Sequence, residues 1–248
     1  MSFLKDGERL EDLQRGGFKL IQDPRLFCFG LDAVLLSSFA KGKKGEKCVD
    51  LGTGSGVIPI LMAAKTNFDQ IYGIEIQPVF ADMAQRSVKL NSLEDKVFIL
   101  RLDLRDPAQL KEIFQKQDSF DAVTANPPYI KQGAGAHSES ESLRISRHEI
   151  CCSIEDAATA AARLLRPQGR FYLVHRPQRL PDAFQALREK GLEPKVLRFV
   201  HASVDKAPTL FLLESIRNGK PHLCVEPPLL LREGDGESPE LRRIYGNE

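Results

Sequence analysis

Lys47-Cys48-Val49-Asp50-Leu51-Gly52-Thr53-Gly54-Ser55-Gly56 is the stretch that decides the architecture. Five residues of strand character run into three alternating glycines, and residues 57–66 then repeat apolar side chains at helical spacing. A strand that passes through a glycine turn into a helix is the opening of a βαβ unit. The same alternation continues downstream. Residues 71–75 read as a strand and 78–91 as a helix with proline in its first turn, where the missing N–H is not needed. Residues 97–102 form a third strand, with a helix near 108–116, and Phe120–Ala125 a fourth. A long helix over 150–165 is stopped by Arg166-Pro167-Gln168-Gly169. A fifth strand over 170–175 is followed by a helix over 178–190. Residues 195–201 and 209–214 are the last two strands; the few residues between them leave no room for a helix, so they pair antiparallel.

Strands alternating with helices imply a parallel sheet covered on both faces. The expected fold is a Rossmann-like α/β domain whose seven-stranded sheet is mostly parallel, the last strand antiparallel, with helices on both faces. Residues 46–218 are expected to form this domain, 1–45 a cap segment packed on it, and 219–248 a C-terminal extension. Residues 131–147, rich in Gly, Ser and Glu and without periodicity, mark a mobile loop. In such sheets ligands bind beyond the carboxyl ends of the strands. Polar residues just after a strand are therefore the functional candidates.

Composition excludes several classes. A chain of 248 residues with 42% hydrophobic and 28% charged side chains has the profile of an ordinary globular protein and can fold without staples. Its net charge of +1 excludes a histone-like coat for nucleic acid, although the excess is uneven: residues 219–248 are net acidic and the remainder carries +3. No apolar run approaches the roughly 18–20 residues of a membrane span, and the N-terminus lacks the apolar core of a signal peptide. The five cysteines show no C-x-x-C spacing, and two of them, Cys151 and Cys152, are adjacent, which fits reduced thiols in the cytoplasm. His137, His201 and His222 have no ligand spacing, so no metal site is expected.

The glycine loop alone says little. Its third glycine comes one position early for a dinucleotide fingerprint, and Val57-Ile58 stands where a phosphate loop needs Lys and Ser/Thr. The acidic residues after successive strands say more. Glu75 closes the second strand, where a carboxylate can accept both ribose hydroxyls. Asp103 follows the third, where it can accept from an adenine amino group. Asp50, before the loop, suits a ligand bearing an ammonium and a sulfonium. Acidic walls without a clamping lysine favour S-adenosylmethionine, with S-adenosylhomocysteine as product, over NAD or ATP. A structural turn with solvated carboxylates is the plainer account.

Asn126-Pro127-Pro128-Tyr129 directly follows the fourth strand and is the most specific feature of the chain. The lone pair of an exocyclic amine such as adenine N6 is delocalised into the ring, which makes the nitrogen a poor nucleophile. Two acceptors, the Asn126 side-chain oxygen and the Pro127 carbonyl, would hold its two hydrogens and favour lone-pair localisation. Consecutive prolines stiffen the turn. Tyr129 offers a face for a base to stack on, worth about 1–3 kcal/mol. Catalysis then consists of positioning and electrostatics, with in-line attack on a sulfonium methyl.

This order of motifs resembles the class I S-adenosylmethionine-dependent methyltransferases that act on planar amino or amide nitrogens. More narrowly, the chain resembles the bacterial tRNA1(Val) adenine-37 N6-methyltransferase family. The segments that carry the likeness are Glu8-Arg9-Leu10-Glu11-Asp12-Leu13-Gln14, Phe29-Gly30-Leu31-Asp32-Ala33-Val34-Leu35-Leu36, Gly73-Ile74-Glu75-Ile76-Gln77 and Arg147-His148-Glu149-Ile150. The resemblance implies that Asp50, Gly52 and Gly54 line the methionine end of the cofactor, that Glu75 and Ile76 hold the ribose, and that Asp103 and Leu104 hold the adenine. Phe29 and Gly30 would close over the cofactor, Asn126 would also border it, and Asn126, Pro127, Pro128 and Tyr129 would receive the target base. Asp32, on the helix after Gly30, either caps or pairs.

The implied partner is tRNA, with the protein a monomer or a dimer. Arg176 at the end of the fifth strand is a candidate phosphate contact, or a solvated strand end. Arg144, Arg147 and His148 border the 131–147 loop and would clamp a flipped nucleotide or simply start a helix. Two enzymatic alternatives stand beside it: glutamine methylation of release factors, whose family shares the tetrapeptide, and guanine N2-methylation of ribosomal RNA, with the same pocket logic. The first family carries a longer helical N-terminal domain than the segment that precedes residue 46 here. A non-catalytic RNA-binding or S-adenosylmethionine-sensing module has no use for an amine-orienting tetrapeptide.

Overall fold

The computed structural model describes residues 3–113, 120–129 and 152–246. It opens with a hairpin of β1 (Arg9–Asp12) and β2 (Lys19–Gln22), followed by α1 (Leu31–Phe39). The alternating units are β3 (Lys47–Leu51), α2 (Val57–Lys65), β4 (Gln70–Glu75), α3 (Pro78–Leu90), β5 (Val97–Arg101), α4 (Pro107–Ile113) and β6 (Phe120–Ala125). After residue 151 come α5 (Ile154–Leu164), β7 (Leu165–His175), α6 (Leu180–Glu189), β8 (Leu192–His201) and β9 (Pro208–Arg217). The C-terminal stretch contributes β10 (Cys224–Val225), β11 (Leu229–Leu230), the small hairpin β12 (Arg232–Glu233) and β13 (Gly236–Glu237), and α7 (Pro239–Tyr245).

The central sheet has the order β10-β8-β9-β7-β6-β3-β4-β5, and β11 also pairs with β8. Among the described strands of this sheet only β9 runs antiparallel, to β7 and to β8. The antiparallel end of the sheet is thus as expected, but the sheet has nine strands, not seven. The two extra strands are two-residue pieces of the C-terminal stretch laid along β8. Such short edge strands, flanked here by Pro221, Pro227 and Pro228, carry no periodicity a sequence reading can detect. A second difference concerns the fifth expected strand, which begins at Leu165, not at residue 170. Its pairing with β6 breaks register between Phe120 and Ala122, so the Pro-Gln-Gly stretch that ends the helix is absorbed as an irregularity.

Strand alternation sorts side chains onto two faces. Cys48, Tyr172 and Val174 join a core with Leu35, Leu36, Ile60 and Leu61, under α1 and α2. Val49, Leu51, Val123, Phe171 and Leu173 meet Ala157, Ala161 and Leu187, under α5 and α6. Each large apolar side chain so buried contributes about 1.5–3 kcal/mol. Ser153 caps α5 reciprocally with Asp156, its hydroxyl accepting the Asp156 N–H at 3.1 Å.

The N-terminal hairpin is tied to α3. The Ile21 N–H donates to the buried Ser87 hydroxyl at 2.9 Å, and the Asn91 amide brackets the Lys19 backbone at 2.8 and 2.7 Å. Arg86 forks onto Glu8 at 2.6 and 2.7 Å. At the other terminus Leu241 of α7 is buried in the first core. Among the described residues no helix is long and apolar enough to cross a membrane, and no group of His, Cys, Asp or Glu has a metal-holding arrangement.

Candidate active site

The five parallel strands β3 to β7 end at one edge of the sheet. From β3 the chain builds outward through β4 and β5, then crosses back to place β6 on the other side of β3. That reversal opens a crevice above β3, the position where α/β sheets bind ligands. Asp50, the glycine loop, Glu75 and Asn126 all lie at this edge.

The loop after β3 is shaped by backbone geometry. Gly52 and Gly54 have φ of +70° and +56°, a region side chains disfavour, and a Cβ on either would meet nothing within 4 Å. Among the described residues the space above them is an open cradle. The Thr53 N–H donates to the Ile74 carbonyl at 2.9 Å, fastening the loop to β4. Glu75, 5% exposed, accepts the Gly54 N–H on Oε2 at 2.9 Å and the Gln77 N–H on Oε1 at 2.8 Å. Burial raises its pKa, and the surrounding amides oppose that rise. The Ile76 N–H is a third amide at this carboxylate, so of its roughly four acceptor positions one remains for a ligand hydroxyl.

Asp50 is fully buried and faces Thr124 across the β3–β6 ladder, whose hydroxyl donates to Oδ1 at 2.7 Å. Its Oδ2 makes no well-formed hydrogen bond among the described residues, although the buried Thr53 hydroxyl stands beside the carboxylate. Burial pushes the Asp50 pKa up to about 7; the Thr124 and Thr53 hydroxyls oppose the rise, and the nearby Glu75 charge adds to it. A buried carboxylate with one oxygen unmet is unfavourable unless a cation or donor joins it.

Asp103 differs from the expectation of a free acceptor. Arg105 forks onto it, Nε at 2.9 Å from Oδ1 and a terminal nitrogen at 2.8 Å from Oδ2, and this pairing lowers its pKa. Leu104 is buried beside it, and Ile76 is half-buried after Glu75. Phe29 packs against the first core, and exposed Gly30 stands at the N-cap of α1.

The tetrapeptide turns sharply out of β6. Pro127 is buried, Pro128 exposed, and Asn126 and Tyr129 are half-buried. The Tyr129 hydroxyl donates to the Asp32 carboxylate on α1 and lies 3.2 Å from Asn126 Oδ1. Its ring meets the edge of His175 at 4.9 Å, and the Arg176 guanidinium lies over it at 5.3 Å from the centroid. The Tyr129 face expected for a base is therefore already in contact with Arg176. Burial is the main reason that the phenol titrates far above its usual range, with the Asp32 charge second. His175 is fully buried, and its Nδ1 accepts the Arg176 N–H at 2.8 Å. Burial, with the charge of Arg179, drops its pKa to about 4, so the ring is neutral at ordinary pH.

The structure thus brings together Asp50, Gly52, Gly54 and Glu75 on one side, and Asn126, Tyr129 and Arg176 on the other. Arg144, Arg147, His148 and the 131–147 loop lie outside the described residues. Sequence reading missed Thr124 and His175. Thr124 gains its role only through strand register, and His175 through burial at the end of β7; a polar residue on an otherwise apolar strand is the available signal.

A parallel sheet with a switch point over β3, a glycine cradle and a buried acid ending the next strand define the class I, S-adenosylmethionine-dependent methyltransferase fold. Residues 19–190 match the family model described as the methyltransferase small domain, and the chain belongs to that family. It is similar to a protein of Porphyromonas gingivalis named tRNA1(Val) (adenine(37)-N6)-methyltransferase, 32% identical over 62% of this chain and 60% of the relative. A relative of the same name from Phocaeicola vulgatus is 26% identical over 79% of this chain and 80% of its own length. The chain thus spans less than two thirds of the length of the first of these relatives. Among solved structures, a predicted O-methyltransferase of Agrobacterium tumefaciens shares the fold with a TM-score of 0.70 at 21% identity, covering 87% of this chain and 96% of that one. A T. thermophilus 16S rRNA N2 G1207 methyltransferase, in complex with AdoMet and guanosine, aligns at a TM-score of 0.57 and 19% identity, over 86% and 52% of the two chains.

Proposed function

We propose that this protein methylates the N6 amino group of an adenine in the anticodon loop of tRNA. The observation that carries the reading is the Asn126-Pro127-Pro128-Tyr129 turn at the carboxyl end of β6, beside the Asp50 and Glu75 crevice. The names of the relatives supply the substrate class, and the cytoplasm, where tRNA is modified, is the proposed location. Residues 46–218 are the proposed catalytic unit, flanked by 1–45 and 219–248.

The cradle fits S-adenosylmethionine, because buried Asp50, whose Oδ2 lacks a well-formed hydrogen bond among the described residues, suits a cation, and the remaining acceptor position of Glu75 suits a ribose hydroxyl. When bound, that group supplies an electrophilic methyl on sulfur. Asp50 with Gly52 and Gly54 would hold its amino-acid end, Glu75 and Ile76 the ribose, and Leu104 the adenine. Asp103 keeps limited capacity for the adenine amine because Arg105 occupies most of its lone pairs. Asn126 Oδ1 and the Pro127 carbonyl would each accept a hydrogen of the target amine and hold the nitrogen lone pair toward the methyl. No strong base is needed, since the methylated ammonium is acidic and loses its proton to water. A base stacking on Tyr129 displaces the exposed Arg176 guanidinium, which then becomes available to a phosphate. An adenine in a tRNA loop is already unpaired, which lowers the cost of presenting it.

The test is methyl transfer from labelled S-adenosylmethionine to bulk tRNA from a strain lacking the enzyme, with the modified nucleoside identified by mass spectrometry. N6-methyladenosine at one loop position is expected. N2-methylguanosine, or label only in protein, overturns the substrate. Asn126→Ala is expected to lower turnover about 10²–10³-fold while cofactor binding by calorimetry persists; retained turnover removes Asn126 from its role.

A further inference from the structure

The Tyr129 hydroxyl stands between two side chains, the Asp32 carboxylate and the Asn126 amide, the latter 3.2 Å away. A phenol has one proton. An ionised carboxylate only accepts, and a charged acceptor holds a proton more strongly than a neutral amide oxygen. The proton therefore belongs to Asp32. An Asn126 oxygen beside the phenol oxygen would then set two acceptors against each other with no hydrogen between them. A half-turn of the amide, which exchanges nitrogen and oxygen without altering shape, removes the conflict. Nδ2 then donates to the phenol oxygen, and Oδ1 faces away from Tyr129.

We propose that Asp32 is a positioning residue for methyl transfer: by holding the Tyr129 proton it fixes the Asn126 amide with its NH2 toward Tyr129 and its carbonyl oxygen free for the target amine. This deepens the reading under Proposed function and rests on it for its catalytic consequence. The arrangement links α1, which precedes the first strand of the central sheet, to the turn after β6, 97 residues apart in sequence. It supplies a reason for Tyr129 to carry a hydroxyl, which a stacking role alone does not require. The second carboxylate oxygen of Asp32 accepts the Ala33 N–H at 2.9 Å, so the side chain is itself held in place.

The experiment is a double-mutant cycle of Asp32→Asn and Tyr129→Phe, with folding checked by thermal unfolding. Each single change is expected to lower kcat on tRNA about 10–100-fold through misorientation of the acceptor, with little change in KM for S-adenosylmethionine. The double variant is expected to be no slower than the slower single one. Multiplying losses, or an unchanged kcat in Asp32→Asn, overturn the proposal. A second readout needs no activity: the protein has five asparagines, and 15N-asparagine labelling resolves their side-chain amides, with Asn126 assigned by its Asp variant. In the free protein the Asn126 amide protons are expected to shift alike in Asp32→Asn and Tyr129→Phe; no shift in either overturns the link. Wild-type protein that shows this coupling but leaves tRNA unmethylated fails the functional reading alone. Active wild type without coupling fails only the role of Asp32.

Discussion

The two halves of the crevice are built from different materials. On the β3–β4 side the groups are fixed by backbone: Gly54 and Gln77 N–H groups hold Glu75, and the loop itself hangs from Ile74. Among the described residues that side leaves Asp50 Oδ2 without a well-formed hydrogen bond. On the β6–β7 side the groups are fixed by one another: Tyr129 leans on Asp32, His175 on the Arg176 N–H, and Arg176 on the Tyr129 ring. On the first side the Thr53 N–H bond to the Ile74 carbonyl keeps the loop on β4 whatever single side chain is removed. A half built of side chains loses its geometry when one member goes. Mutations on the first side should therefore act on cofactor binding, and those on the second on turnover.

The largest effect on the first side is expected at Glu75. Glu75→Ala removes the ribose acceptor and releases the Gly54 amide, and a charge-assisted bond of about 1.5–3 kcal/mol, with the loosened loop, sets the scale. Cofactor affinity should fall about 10²-fold by calorimetry, with turnover at saturating cofactor largely retained. Loss of turnover without loss of affinity would break the division between the halves.

A smaller effect with a clear sign concerns pH. Because burial raises the Asp50 pKa to about 7, the group binds its proton more tightly in the folded state, and its contribution to stability falls as pH rises from about 4 to about 7. A cation bound beside it favours the ionised form. Cofactor binding below pH 7 should then expel a proton, and affinity should drop toward about tenfold per unit as pH falls. Calorimetry in buffers of different ionisation heat measures the proton directly. Asp50→Asn should abolish both the release and the slope; an unaltered slope would place the titrating group elsewhere.

The smallest effect is expected at Asp103, which lies at the same edge yet is already neutralised by Arg105. Asp103→Ala should raise KM for the cofactor only a few-fold, since a half-exposed ion pair of this kind is worth about 0–1 kcal/mol. A loss as large as that for Glu75 would mean that Arg105 swings away when the cofactor binds, and would sharpen the contrast between the two carboxylates.

The sequence by itself determined the alternation of strands and helices, the glycine cradle and the acids after successive strands, because these depend on local periodicity and on backbone freedom. It also placed Asn126 to Tyr129 at the active edge, since a residue just after a parallel strand has nowhere else to be. Tertiary structure alone decided the rest. The edge strands β10 and β11 exist only because β8 offers unpaired backbone groups for two residues at a time. Thr124 serves Asp50 only through the register of β3 against β6, and Asp32 reaches Tyr129 only because α1 packs over the same edge. Which acid stays open to a ligand was equally hidden. Glu75 and Asp103 read alike in sequence, yet backbone amides hold the first open and an arginine two residues on closes the second. Periodicity is local and can be read along a chain; the partner of a buried polar group is chosen by the fold.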